Sequence, residues 1–319
     1  MSTATQPIVD ASRAYGSVMR RLHALLSDHA QLMKLRVTSL VVASAWCGYF
    51  LAAHKSDFPS LSWEAWYAMA AIGLVSAGAA ALNQVIEREI DANMLRTQRR
   101  PLAAGRLSIA HATGFGLALV LGGSIALALI TNFVTGLLAL VTAATYLLVY
   151  TPLKPVSTLC TFIGAFPGAM PPVLGWTALR GRVEPEALAL FAILFVWQFP
   201  HFFSIAWLYS EDYERAGIRM LPVVEKDGRS TARKIVQYSL ALIPISLLPA
   251  MLGIATREYL IGAAVLSCAY LWFGLRLRNL RLAPSASESK LAARRLLQAS
   301  VLYLPLLFAL LMLSVDFHV

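Results

Sequence analysis

Apolar residues in this chain run on rather than alternate. Nine stretches of predominantly apolar residues, near 34–53, 65–86, 108–130, 134–150, 158–178, 187–208, 236–254, 258–275 and 297–315, are separated by shorter polar segments. A helix needs about 20 such residues to cross a hydrocarbon core about 30 Å thick, so the pattern predicts nine membrane-spanning helices and an all-α fold. Composition agrees: 58% of the 319 residues are hydrophobic and 14% are charged, far from the balance of an ordinary soluble domain.

The net charge of +10 raises the question of nucleic acid, and the placement of the charges answers it. With the N-terminus inside, every basic residue except Lys55, Arg180, Arg182 and Arg257 falls on the cytoplasmic side. The positive-inside rule then predicts an N-terminus in the cytoplasm and a C-terminus outside, and the basic excess reads as topological, with no nucleic-acid partner. Residues 1–33 form a polar lead-in on the cytoplasmic side, in which RAYGSVMRRLHALL has the spacing of an interfacial amphipathic helix. Residues 34–319 form a single nine-helix domain. No apolar run precedes a small-residue cleavage site in residues 1–30, so no secretory signal is expected. Cys47, Cys160 and Cys268 stand singly in apolar segments and are expected in the core, as neither disulfides nor zinc ligands.

The outside loops are short, and the long polar loops follow the second and sixth spans. Those two spans run in the same direction, so their loops can converge on one cytoplasmic mouth. A division into two four-helix halves plus a ninth helix is compatible with this spacing. The fifth span carries GAFPGAMPPVLGW (164–176), in which three prolines and three glycines make an unbroken helix improbable. Such a break suits a closely packed kink or a segment that lines a cavity.

The charged stretch NQVIEREIDANMLRTQRRPL (83–102) continues directly from the apolar second span. At about 100° per residue, Glu87 lies about 40° and Asp91 about 80° round from Asn83, so the three share one helix face. Arg88 and Glu89 fall off it, at about 140° and 240°. An amide oxygen and two carboxylates in a row are hard oxygen ligands suited to Mg²⁺, which takes one or two carboxylates together with substrate phosphates. Arg96, Arg99 and Arg100 follow as donors for phosphate oxygens. Arginines alone would read as topology signals; polar groups at the membrane end of a helix are costly unless used. After the sixth span, Glu211 and Asp212 with Tyr209 and Tyr213 form a second acidic and phenolic cluster, and Lys154 is the one charge of its loop. His201, inside the sixth span, has on position alone the character of a core histidine.

These motifs resemble the UbiA superfamily of intramembrane prenyltransferases, and within it the protoheme IX farnesyltransferases, or heme O synthases. The resemblance rests on NxxxExxxDxxMxRTxxRPL at Asn83, Glu87, Asp91, Met94, Arg96, Thr97, Arg99, Arg100, Pro101 and Leu102. It is supported by KxRVT at 34–38, YTPLK at 150–154, GAxPPxxGW at 168–176, PHF at 200–202 and DYxxAGxxMLPVV at 212–224. Glu87 is the most selective of these, since other branches usually have Asp there. Leu35 replaces a usual proline, QFPHFF replaces TPPHFW, and the second motif lacks the DxxxD of the wider superfamily.

The resemblance implies nine helices around a central cavity in the inner membrane of a bacterial cell. It implies farnesyl diphosphate and heme b as substrates, and Mg²⁺ held by Asn83, Glu87, Asp91 and Asp212. It implies diphosphate contacts from Arg96, Arg99, Arg100, Lys154 and Tyr150, and a heme contact from His201. A later enzyme such as heme A synthase, or terminal oxidase assembly, is implied as a partner of the product. Prenylation of 4-hydroxybenzoate or another aromatic would use the same diphosphate half of the site, and a transporter would also break its helices in the membrane. A transporter is expected to place charge near the midplane, whereas here acidic residues sit at the ends of the spans.

Overall fold

The computed structural model describes residues 6–315, with side chains from Met19 onward. After an N-terminal helix, Gln6–Leu32, nine helices long and apolar enough to cross a membrane follow among the described residues: Leu35–Lys55, Trp63–Ile86, Ile109–Ile130, Phe133–Leu153, Cys160–Arg180, Pro185–Leu208, Arg229–Met251, Arg257–Leu280 and Ser287–Leu313. They are the nine segments the hydrophobic runs predict. The seventh and ninth begin earlier than their apolar windows, because helical hydrogen bonding continues past the hydrocarbon edge into basic turns. Short polar caps start several spans, as where Ser62 and Ser108 accept from backbone N–H groups of the first turn.

The first and fifth spans form the seam of the molecule, which is how the two halves join. One apolar core takes in the second, third and fourth spans, a second takes in the sixth to ninth, and the first and fifth spans contribute to both. Their backbones nearly touch. A Cβ at Gly48 would lie 1.9 Å from the Pro172 carbonyl oxygen, and one at Gly175 would lie 1.8 Å from that of Ala45. The glycines are therefore a condition of the packing, as small residues are at close helix pairs in membranes.

Two spans depart from regular helix where they meet the interior. The fourth widens into a π-helical turn over Thr145–Tyr150 before ending at Leu153. The fifth is two helices, Cys160–Ala169 and Pro171–Arg180, joined at Met170, as its prolines predict. Of the cysteines, Cys47 and Cys160 are buried as expected, but Cys268 is exposed. The eighth span turns that face outward, where a thiol behaves as a small apolar group among lipid chains.

At the end opposite the charged mouth, a polar cluster ties the seam together. Glu184 accepts from Arg180 Nε at 2.8 Å, from Arg182 Nε at 3.0 Å and from Trp176 Nε1 at 3.0 Å, while Lys55 pairs with Glu186. The Arg180 hydrogen bonds, helped by Arg182 and Trp176, hold the Glu184 carboxyl down to about 2 from its ordinary 4.5. A carboxylate whose folded-state pKa is depressed contributes stability above the unfolded value and loses it as pH falls from about 4.5 toward 2. Glu184→Gln should therefore lower the apparent Tm at pH 7 and lose most of that effect at pH 3; an equal gap at both pH values would remove the charge from the account.

Candidate active site

The second span ends at Ile86, turns slightly at Glu87 and continues as a short helix, Arg88–Ala92. Hydrogen bonds from Glu87 N to Asn83 O, 2.9 Å, and from Asp91 N to Glu87 O, 2.7 Å, carry the helical ladder across the joint. Asn83, Glu87 and Asp91 consequently share one face, as their angular spacing predicts. They are buried to 1%, 4% and 1% exposure, whereas Arg88 pairs with exposed Glu89 away from the site.

Buried carboxylates need compensation, and each has a cation of this chain beside it. Arg100 Nη1 donates to both Asp91 oxygens, at 2.8 and 2.7 Å. Lys154 Nζ forms an ion pair with Glu87 Oε1 at 2.6 Å. Asp212, also buried, receives the Arg96 backbone N–H at 3.4 Å and lies 3.2 Å from Arg215. The Arg96 contact brings the two acidic segments together, as the parallel second and sixth spans allow. Of the second cluster, Asp212 and Tyr213 turn inward, Tyr209 stays partly exposed with its ring centre 5.2 Å from the Arg96 guanidinium, and Glu211 reaches out to Lys290.

Lys34 belongs to this site, although the sequence marks it only as part of a supporting motif. It sits at the start of the first span in a left-handed conformation, φ 47°, and donates to Asn83 Oδ1 at 2.8 Å. Asn83 Nδ2 in turn donates to Thr151 Oγ1 at 3.2 Å. Burial, then the nearby charges of Arg100 and Lys154, bring Lys34 down to about 7. Burial also opposes the charge of Lys154, but Tyr150 and the Glu87 carboxylate outweigh it and hold its pKa above the ordinary value. Cations crowded in this way are relieved by a bound polyanion.

Beneath the charged mouth lies a cavity of about 430 Å³. Lys34, Arg96, Tyr150 and Tyr213 line its charged end, and Ile72, Val75, Leu174 and Phe202 line its apolar depth. The size and the few convergent polar groups suit a small-molecule site. The π turn delivers Tyr146 and Tyr150, whose ring centroids are 5.3 Å apart, and Lys154 Nζ lies 4.7 Å from the Tyr150 ring centre. Gly164 makes room for that ring, since a Cβ there would come within 2.5 Å of it.

Two sequence candidates lie apart from this constellation. Arg99 is exposed, and its backbone carbonyl accepts from Arg106. His201 turns toward the ninth span, with Nδ1 2.7 Å from Ser300 Oγ and its ring stacked on Trp197.

The donor set fits a hard divalent cation. Asn83, Glu87, Asp91 and Asp212 offer buried oxygens, and each carboxylate keeps acceptor capacity beyond its ion pair. Among the described residues, no three carboxylate, imidazole or thiol groups converge to cage an ion by themselves. Mg²⁺ does not require such a cage, because it retains waters and takes much of its coordination from phosphate oxygens.

The model of the UbiA prenyltransferase family matches residues 41–297. A protoheme IX farnesyltransferase of Koribacter versatilis is 54% identical over 98% of this chain and 99% of its own length, and one of Solibacter usitatus is 44% identical over 91% and 99%. Among solved structures, a digeranylgeranylglyceryl phosphate synthase superposes with a TM-score of 0.73 at 17% identity, covering 91% of this chain and 98% of that one. A UbiA homolog from Archaeoglobus fulgidus bound to DMAPP and Mg²⁺ superposes at 0.59 and 18% identity, covering 89% and 99%. Nine spans among the described residues, a buried row of amide and carboxylate oxygens at a basic mouth and full-length likeness to these relatives lead to one conclusion: the chain belongs to the UbiA prenyltransferase family, in its protoheme IX farnesyltransferase branch.

Proposed function

We propose that this enzyme transfers the farnesyl group of farnesyl diphosphate to the vinyl group of heme b, with addition of water, to give heme O and diphosphate. The observation that carries the reading is Glu87, a buried carboxylate on one helix face with Asn83 and Asp91, in a chain 54% identical to a protoheme IX farnesyltransferase. Asn83, Glu87, Asp91 and Asp212 would hold Mg²⁺ together with the diphosphate, and the ion would supply Lewis-acid stabilisation of the leaving group.

The chain's own residues do the rest. Lys34, Arg96, Arg100 and Lys154 take up the negative charge that develops as the allylic C–O bond breaks, with Tyr150 beside them and Arg99 adding charge from the rim. The apolar cavity keeps water from the allylic cation, and the faces of Tyr146 and Tyr150 favour positive charge in front of them. The vinyl π electrons form the new C–C bond to farnesyl C1. Water adds to the carbon left cationic, and its proton passes to diphosphate or solvent.

His201 is proposed as a heme contact; an unchanged heme spectrum in His201→Ala would return it to packing between the sixth and ninth spans. Residues 34–319 act as one domain in the bacterial inner membrane, with the N-terminus and the mouth in the cytoplasm and the C-terminus outside. The first helix lies in the interface, where Met19, Leu22 and Leu26, all strongly exposed, meet lipid. The product then passes to a later heme-modifying enzyme such as heme A synthase, or to oxidase assembly.

Purified enzyme given heme b, farnesyl diphosphate and Mg²⁺ should yield a heme heavier by one farnesyl group and one water. An active preparation that instead prenylates 4-hydroxybenzoate and leaves heme unchanged would overturn the assignment.

A further inference from the structure

Away from the active site, a slot of about 180 Å³ opens between the eighth and ninth spans, at the same membrane face as the mouth. Its charged lining is Arg276 from one helix, and Arg295 and Glu288 from the other, with Phe273, Leu280 and Leu291 as its apolar part. Arg276 is the first residue beyond the apolar run 258–275, and Arg295 stands two residues before the run that begins at 297. Both guanidinium groups thus sit where hydrocarbon gives way to headgroups.

Neither arginine has a carboxylate within ion-pair distance among the described residues: the salt bridge of this corner is Lys290 with Glu211, at 2.8 Å. Arg276 is instead steadied over the Trp272 ring, 4.9 Å from its centre, and Trp272 is half exposed, as a tryptophan of the interfacial belt is. Two exposed guanidinium groups without a carboxylate partner, above an apolar slot at headgroup depth, suit an anion that carries its own apolar chain.

We propose that this slot binds one anionic glycerophospholipid, its phosphodiester between Arg276 and Arg295 and an acyl chain along Phe273 and Leu291. Charge selects the occupant. Two arginines and Glu288 leave a single positive charge, which one phosphodiester balances; free phosphate or diphosphate brings more negative charge against Glu288. Basic pockets between helices on the positive side are known places for anionic headgroups. Glu288 accepts a hydrogen bond from a headgroup hydroxyl, which favours phosphatidylglycerol over phosphatidylcholine.

Native mass spectrometry of the full-length protein, titrated with phosphatidylglycerol or phosphatidylcholine in detergent, tests this. One phosphatidylglycerol should bind preferentially, and Arg276→Gln and Arg295→Gln should each weaken it about fivefold. Arg278→Gln, an exposed arginine of the same helix that does not line the slot, should leave it unchanged. Equal loss in Arg278→Gln would show diffuse surface charge instead of a site and overturn the proposal, as would equal binding of the two lipids. Inorganic phosphate at millimolar concentration should not displace the lipid; displacement would make the slot a free-anion site. If a glutamine variant does not fold, Glu288→Ala supplies a second test: it should narrow the preference for phosphatidylglycerol over phosphatidylcholine, and an unchanged preference would overturn the headgroup assignment.

Discussion

Asp91→Ala should lower kcat/KM for farnesyl transfer by about a thousandfold or more, the loss expected when a preorganised charge partner of the leaving group is removed. The change takes away one proposed oxygen donor for the metal and also strands Arg100, whose Nη1 is committed to both oxygens of that carboxylate. A freed guanidinium in a buried site is costly and moves. Asp91→Asn separates the two effects, because it retains the shape and one acceptor while removing the charge; it should also be inactive if metal binding is what matters. Glu87→Ala should behave in the same way and leave Lys154 without its partner. Arg100→Ala should cost far more than Arg99→Ala, which is expected to stay within tenfold of the parent because its side chain is exposed. Turnover retained in Asp91→Ala, or equal losses at Arg99 and Arg100, would remove these residues from the diphosphate site.

The second large effect concerns the seam. Gly175→Ala puts a Cβ where the Ala45 carbonyl oxygen leaves 1.8 Å, and Gly48→Ala meets the Pro172 carbonyl at 1.9 Å. Both obstacles are backbone, so whole spans must part. Overpacking of this kind costs about 3 kcal/mol or more, and the apparent Tm should fall by about 5 to 10 °C, with loss of folded yield. Gly114→Ala and Gly122→Ala in the third span meet nothing within 4 Å and should be neutral or mildly stabilising. A thermal-shift series over the four variants checks the contrast. Equal effects at all four positions would mean that helix propensity, not contact between the first and fifth spans, governs the result.

What the sequence makes legible follows from one-dimensional rules. Hydrophobic run length gives the nine spans, the helical angle places Asn83, Glu87 and Asp91 on one face, and the prolines foretell the break at Met170. Features that depend on where the chain turns in space are not legible. Glu211 and Asp212 are neighbours of the same type, yet only Asp212 faces Arg96 while Glu211 finds Lys290. Arg99 and Arg100 divide in the same way, because the turn after Met94 decides which of them meets Asp91. Lys34 could not be told from a topology signal, since its position depends on a positive φ that nothing in KLRVT announces. His201 shows that a histidine inside an aromatic motif can spend its ring on a neighbouring span.

The π turn of the fourth span bears on how this site can change over evolutionary time. A π turn holds about one residue more than an α turn, so Thr145–Tyr150 behaves as an accommodated insertion. Loss of one residue there would leave a continuous helix but rotate all that follows by about 100°. Lys154 would swing from Glu87, and Thr151 from Asn83, with every residue type intact. The charged mouth is thus exposed to a kind of mutation that residue-by-residue comparison does not weigh: loss of a residue within one turn, nearly silent in composition and hydropathy, that would uncouple the fourth span from the Asn83, Glu87 and Asp91 face of the second.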